Sequence, residues 1–347
     1  MVRVTLGEGG TPLVASARLG ASLGLSRLFF KLEICNPSGS YKDRFISAEV
    51  ARMLRLGTRA CVATSSGNTG SSLAAYCARY GLTCAILVSQ HVPAGKLEQM
   101  QAHGARVFRV RDFITSPAVT QNVYRRLSKL AVERALPLVV SAYRYCPEGM
   151  AGVEPIAKEL LEQCASGIDH VFVPVGGGGL FTAVCRGFRK ESASKLRVHA
   201  VQPQGCSTVV AAFDRGDNEI RMVESTTRVS GLAVPFDIDA SLALEHLRNA
   251  GGRGFAVSDE EVFEAQRMML DQEGIYSEPA GAAALAGLRR ALGDGTVRRD
   301  DTVICLVTGH GFKDPDSVRR LAIQHATVLI EEAELEHSLS EIIPSCV

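Results

Sequence analysis

The chain has 347 residues, 46% hydrophobic and 22% charged, the proportions of an ordinary globular protein long enough for two cores. Its 38 basic and 37 acidic residues leave a formal net charge of +1, which removes the electrostatic case for nucleic acid or a membrane surface as partner. The ten cysteines never fall two to four positions apart and no run of about 18 apolar residues occurs, so the expectation is a reduced, cytoplasmic protein with no metal site and no membrane span.

In chain order, Gly7-Glu8-Gly9-Gly10-Thr11-Pro12-Leu13 reads as a glycine-rich turn, followed by a small-residue helix near residues 15–23 and a strand over 27–34. Asn36-Pro37-Ser38-Gly39-Ser40 then forms a turn, with Ser40 as N-cap of a helix that ends near Gly57 and carries Lys42 in its first turn. The positive end of a helix dipole disfavours an ammonium, so the amine of Lys42 is expected to be a neutral nucleophile. On spacing alone, a lysine after a turn is most often a solvated charge, and only the letters around Lys42 single it out.

Residues 60–64 read as a buried strand, Ser65-Ser66-Gly67-Asn68-Thr69-Gly70 as a turn, and 71–80 as an alanine-rich helix closed by Gly81. The turn sits on a helix N-terminus, whose free N–H groups and dipole suit a carboxylate or a phosphate. Strands at 83–88, 106–110 and 138–140, with helices at 95–103 and about 120–134, continue the βαβ rhythm of a parallel sheet. After an amphipathic helix over 152–163 and a strand over 170–175 come Gly176, Gly177, Gly178 and Gly179, whose backbone can present consecutive N–H groups to a phosphate. No Gly-Lys-Ser/Thr follows, and the glycines lack dinucleotide spacing.

A strand over 197–202 leads to an irregular region at 212–240, and Ser258-Asp259-Glu260-Glu261 is a capping box opening a helix that stops before Gly274. Glu278 precedes a proline-started, alanine-rich helix and reads by itself as a partner of that helix's dipole. The final strand over 301–307 runs into Thr308-Gly309-His310-Gly311-Phe312-Lys313-Asp314-Pro315, where a histidine between glycines reads as structural. A helix and an acidic, solvated tail complete the chain.

The stretch Asn36 to Arg44 resembles the lysine motif of fold-type II pyridoxal phosphate (PLP) enzymes. Together with Gly-Thr-Pro-Leu at the start and Thr-Gly-His-Gly-Phe-Lys-Asp near the end, its Ser-Tyr-Lys-Asp-Arg wording is similar to the threonine synthase branch. The resemblance implies an α/β fold of two lobes, each a largely parallel twisted sheet flanked by helices, with the cofactor in the cleft between. Residues 36–150 would form the smaller lobe, and 1–35 with 151–347 the larger. It implies that Lys42 forms the imine with PLP, that Gly176, Gly177, Gly178 and Gly179 hold its phosphate, that the Asn68 amide meets its phenolic oxygen and that the Thr308 hydroxyl meets its pyridine nitrogen. Ser65, Ser66, Gly67, Asn68 and Thr69 would take the substrate carboxylate, and Glu278 would lie near substrate or cofactor.

Ser141 and Arg144 occupy the places of a serine and an arginine that help hold a substrate phosphate. However, Ala142-Tyr143, an extra residue before Glu148, and Ala151-Gly152 depart from the branch's wording, and Arg144 reads equally as an ion-pair residue. A neutral hydroxyl at the ring nitrogen does not enforce its protonation, which favours elimination or replacement over transamination. The implied reaction converts O-phospho-L-homoserine and water to L-threonine and phosphate. The altered segment at 141–152 favours an alternative, β-elimination or β-replacement on serine, threonine or an activated serine. A catalytically silent sensor is a third reading, opposed by an intact Lys42. A small-molecule amino acid is the expected partner, and a homodimer is expected by analogy alone.

Overall fold

A computed structural model describes residues 4–64, 67–92, 94–193, 195–322 and 327–340. Its strands are β1 (Leu13–Ala15), β2 (Arg27–Leu32), β3 (Ala60–Thr64), β4 (Thr83–Ser89), β5 (Arg106–Val110), β6 (Leu138–Val139), β7 (His170–Pro174), β8 (Arg197–Pro203), β9 (Gly254–Val257) and β10 (Thr302–Val307). They form a six-stranded sheet in the order β1-β2-β10-β7-β8-β9 and a four-stranded sheet in the order β5-β4-β3-β6. Only β1 runs antiparallel to its neighbour; every other pairing is parallel. In the larger sheet, Val303 of β10 is matched to Leu28 of β2 on one side and to His170 of β7 on the other.

The buried apolar runs explain this arrangement. β7 and β10 are buried along their whole length, as parallel strands covered by helices on both faces must be. The alanine-rich helix Pro279–Gly293 packs on β7, β8, β9 and β10, and small side chains let it approach closely. Ser258 accepts the Glu261 N–H at 3.1 Å while Glu261 accepts the Ser258 N–H at 2.6 Å, so the capping box forms as the sequence predicts.

Three local expectations change. The helix over 15–23 shrinks to Leu19–Ser22, because the Glu273 carboxylate reaches across to accept the Ser16 hydroxyl at 2.6 Å and the Leu19 N–H at 2.6 Å, and the chain before that point joins β1 instead. The helix over 152–163 starts only at Pro155 and runs to Gln163, and a separate short helix, Pro147–Ala151, precedes it; each is opened by a proline that has no N–H to continue a preceding turn. The four-residue β9 carries no sequence signal of its own and exists by pairing with β8. Among the described residues no helix is long and apolar enough to cross a membrane, and nine free cysteines are present, eight of them buried.

Parallel strands deliver the loops at their C-terminal ends to one place. The residues that end or follow β3, β6, β7 and β10 (Thr64, Ser141, Pro174 and Thr308) line a single cavity.

Candidate active site

Lys42 opens the helix Lys42–Arg55. Ser40 does not cap it. The backbone at Ser40 instead forms an antiparallel bridge with Gly309, the Tyr41 N–H donates to the Thr308 carbonyl at 3.2 Å, and the His310 N–H donates to the Gly39 carbonyl at 2.9 Å. The lysine turn is thereby sewn to the end of β10. Buried Asp43 secures it further, accepting the Ser38 N–H at 2.6 Å, the Ser38 hydroxyl at 2.5 Å and the Ser72 hydroxyl.

The Lys42 amine donates to the Ser141 hydroxyl oxygen at 2.6 Å and lies 4.6 Å from the centre of the Tyr41 ring. Burial lowers its pKa to about 7, against the charges of Asp239 and Glu278, which pull it upward. Desolvation, rather than the helix dipole, is therefore the main cause of the shift. Half of the amines are neutral near pH 7, so cofactor-free protein should capture an aldehyde at a rate rising with pH through about 7. Stopped-flow absorbance after mixing with pyridoxal phosphate measures that profile; a midpoint near the ordinary lysine value would contradict it.

Asn68 begins its helix, Asn68–Tyr80, three residues earlier than the sequence suggests, so Asn68 and Thr69 sit in the first turn. Gly67, Asn68 and Thr69 all line the cavity, whereas Ser65 and Ser66 lie outside the described residues. The Asn68 Nδ2 donates to Glu278 Oε1 at 2.5 Å, and Asn68 Oδ1 is buried without a hydrogen-bond partner. Glu278 Oε2 is 3.1 Å from the Lys96 Nζ, in a pair whose side chains are 2% and 1% exposed respectively. Lys96 was not singled out by sequence. It opens no motif, and only the pairing of β4 with β3 brings the helix Ala94–Ala102 beside the asparagine turn.

Gly176, Gly177, Gly178 and Gly179 line the same cavity and lead into the helix Gly179–Lys190. Gly178 has φ +98°, and a Cβ there would lie 2.5 Å from the Asp239 carbonyl oxygen. Only glycine fits. Gly178→Ala should cost about 1–3 kcal/mol in stability and weaken cofactor retention, as read by urea unfolding and by equilibrium dialysis.

Asp239 is a second residue that sequence reasoning missed. Its N–H donates to the Gly177 carbonyl at 2.9 Å, and its carboxylate accepts the Tyr143 N–H at 2.6 Å and the Arg144 N–H at 3.1 Å. It thus joins the glycine loop to the turn that carries Ser141. A position after an irregular stretch and just before the helix Ala240–Asn249 was its only signal.

Thr308 is buried and lines the cavity, while His310 packs against Tyr276 and Phe312 and accepts the Phe312 N–H at 3.3 Å, a structural role. Arg144 does not join the site. Its backbone is held by Asp239, its side chain is exposed, and it is absent from the cavity wall, so the expected phosphate clamp is not formed in this arrangement. Ser141 does belong, through its bond to Lys42.

A buried amine with a pKa near neutrality, a carboxamide, a glycine-lined helix N-terminus and a buried threonine thus line one space. Such a set suits an aldehyde carrying a phosphate at one end and ring heteroatoms at the other. The family profile described as "Pyridoxal-phosphate dependent enzyme" matches residues 4–309. The chain belongs to this family of pyridoxal-phosphate dependent enzymes. Its relatives in the family include the threonine synthase of Methanocaldococcus jannaschii, 34% identical over 98% of this chain and 84% of the relative. The threonine synthase of Mycobacterium tuberculosis is 33% identical over 90% of this chain and 84% of the relative. The structure of maize serine racemase superposes with a TM-score of 0.77 at 23% identity, covering 97% of this chain and 96% of that one, which bears on the fold alone. The α/β architecture of parallel sheets and flanking helices is that of the fold-type II members of the family.

Proposed function

We propose that the protein is a PLP-dependent carbon–oxygen lyase of the threonine synthase type, converting O-phospho-L-homoserine and water to L-threonine and phosphate. The likeness to threonine synthases along nearly the whole chain carries this reading. Lys42 would hold the cofactor covalently, the N–H groups of Gly176, Gly177, Gly178 and Gly179 its phosphate, the Asn68 amide its phenolic oxygen and the Thr308 hydroxyl its ring nitrogen. When bound, the cofactor supplies an electron sink that acidifies the Cα–H of an amino acid. The Lys42 amine would serve as the base at Cα, and a pKa of about 7 would let it both take and return a proton near neutral pH. Ser141, within hydrogen-bond reach at 2.6 Å, keeps the amine aimed into the cavity. Gly67 and Thr69 stand at the N-terminus of the helix Asn68–Tyr80, where N–H groups would orient the substrate carboxylate. The free cysteines accord with a reducing, cytoplasmic setting, and a homodimer is the assembly proposed.

A second reading, β-elimination or β-replacement on serine, threonine or an activated serine, is favoured by one observation: Lys96, paired with Glu278, and Lys42 are the basic side chains among the described cavity-lining residues, and Arg144 lies outside. Steady-state assays separate the two. Phosphate release and threonine formation from O-phospho-L-homoserine support the first reading. Formation of 2-oxobutyrate or pyruvate from threonine or serine, with no phosphate release, would replace it with the second.

A further inference from the structure

We propose that Glu278 is a positioning residue that dictates which end of the Asn68 carboxamide meets the cofactor, with Lys96 as its counter-charge. The inference rests on the assignment of Asn68 to the cofactor's phenolic oxygen. A carboxamide is nearly symmetrical in shape, so packing alone does not decide which way it faces. A carboxylate can only accept, and Glu278 Oε1 takes one N–H of Asn68 at 2.5 Å. The flipped amide would set oxygen against oxygen. Asn68 therefore keeps its second N–H for a ligand oxygen, and a ligand that bears negative charge there is met by a donor rather than by a lone pair.

The surroundings are built for this contact. The Glu278 N–H donates to the Gly309 carbonyl at 2.9 Å, and a Cβ on Gly309 would lie 2.2 Å from Glu278 Oε1 and 2.9 Å from Asn68 Nδ2, so a glycine in the Thr308-Gly309-His310 turn leaves room for the pair. A carboxylate exposed by only 2% is costly without a cation, and the Lys96 Nζ at 3.1 Å from its second oxygen supplies one. Asn68, Glu278 and Lys96 come from three separate segments of the chain and meet at this one contact.

The test is a pH titration of the visible absorbance of the lysine-bound cofactor in holoenzyme, for wild type, Asn68→Ala, Glu278→Gln, Lys96→Met and the latter two each combined with Asn68→Ala, with circular dichroism to check the fold. A donated N–H stabilises the anionic oxygen; without it that oxygen holds the neighbouring proton more tightly and the midpoint rises. Asn68→Ala should raise it by about one pH unit. Glu278→Gln frees the amide to face either way, and Lys96→Met strips Glu278 of its counter-charge. Because each substitution also removes a charge that acts on the titrating nitrogen directly, its shift is compared with the shift it causes on an Asn68→Ala background: the difference, which passes through the amide, should be a rise of at least half the Asn68→Ala shift. Should Glu278→Gln fail to fold, Lys96→Met carries the same readout. A Glu278→Gln shift, or that of a folded Lys96→Met, that is the same on the wild-type and Asn68→Ala backgrounds while Asn68→Ala itself moves would overturn the proposal. An unmoved Asn68→Ala would overturn it too, by removing the contact it serves. Wild-type protein with no such absorbance would instead strike at the cofactor assignment beneath it.

Discussion

Replacing Lys42 with alanine should abolish the visible absorbance of lysine-bound cofactor and lower turnover by about a thousandfold or more. Both roles proposed for this residue, covalent attachment and proton transfer at Cα, require a free electron pair on one nitrogen. Burial makes that pair available by bringing the pKa to about 7. Lys96 is the other amine on the described cavity wall, and it cannot deputise: it is 1% exposed and held 3.1 Å from Glu278. Lys42→Arg should fail as completely as Lys42→Ala, since a guanidinium stays charged at every accessible pH and so keeps the cation while losing the nucleophile. A small amine added to Lys42→Ala should restore part of the turnover by supplying the missing base. Retained absorbance in either variant would show that another nitrogen holds the cofactor.

The parts of this site that were legible in the sequence are those encoded by neighbours along the chain. Four consecutive glycines between a buried strand and a helix can be recognised without knowing what lies across from them, and the letters around Lys42 belong to one turn. The first turn of the helix Asn68–Tyr80 was half legible: the turn was read, but its boundary fell three residues late, because serine, asparagine and threonine are as good in caps as in first turns. Asp239, Lys96 and the Glu278–Asn68 bond were beyond reach, since each depends on segments far apart in the chain, some of which follow strands of different sheets. Arg144 shows the converse. Its position was proposed from motif order, yet the backbone contacts of Asp239 govern the turn around it, and those contacts leave no trace in the local sequence. The same holds for Ser40, whose letter reads as a cap while its backbone is already committed to Gly309.

Arg44, two residues after Lys42, should prove the most costly position in the lysine motif for stability. Its guanidinium donates to Glu33 through Nε at 2.7 Å and Nη2 at 2.8 Å, and to Glu159 through Nη1 at 2.6 Å and Nη2 at 2.7 Å. Lys31 adds a bond to Glu159 at 2.7 Å, Thr11 donates to Glu33 at 2.6 Å and the Gly10 N–H donates to Glu159 at 3.0 Å. The Gly-Gly-Thr opening and the final arginine of the lysine motif therefore serve one buried network that fastens the helix Lys42–Arg55 to the end of β2 and to the helix Pro155–Gln163. Side chains of Arg44 and Glu33 are 3% and 0% exposed, so Arg44→Leu would strand Glu33 without its cation and should cost about 3–5 kcal/mol in urea unfolding. The same network has an acid signature. Although burial works against it, Arg44 and Lys31 together hold the Glu159 carboxyl down to about 2 from an ordinary 4.5. A carboxylate depressed in the folded state contributes its full stability above the unfolded value and loses it as pH falls, here between 4.5 and about 2. Wild-type stability should decline across that window, and Arg44→Leu should decline less steeply because most of the stabilisation of Glu159 is already gone. A variant within about 1 kcal/mol of wild type, with an unchanged slope in acid, would show that the ion pairs contribute nothing to holding the lysine helix in place.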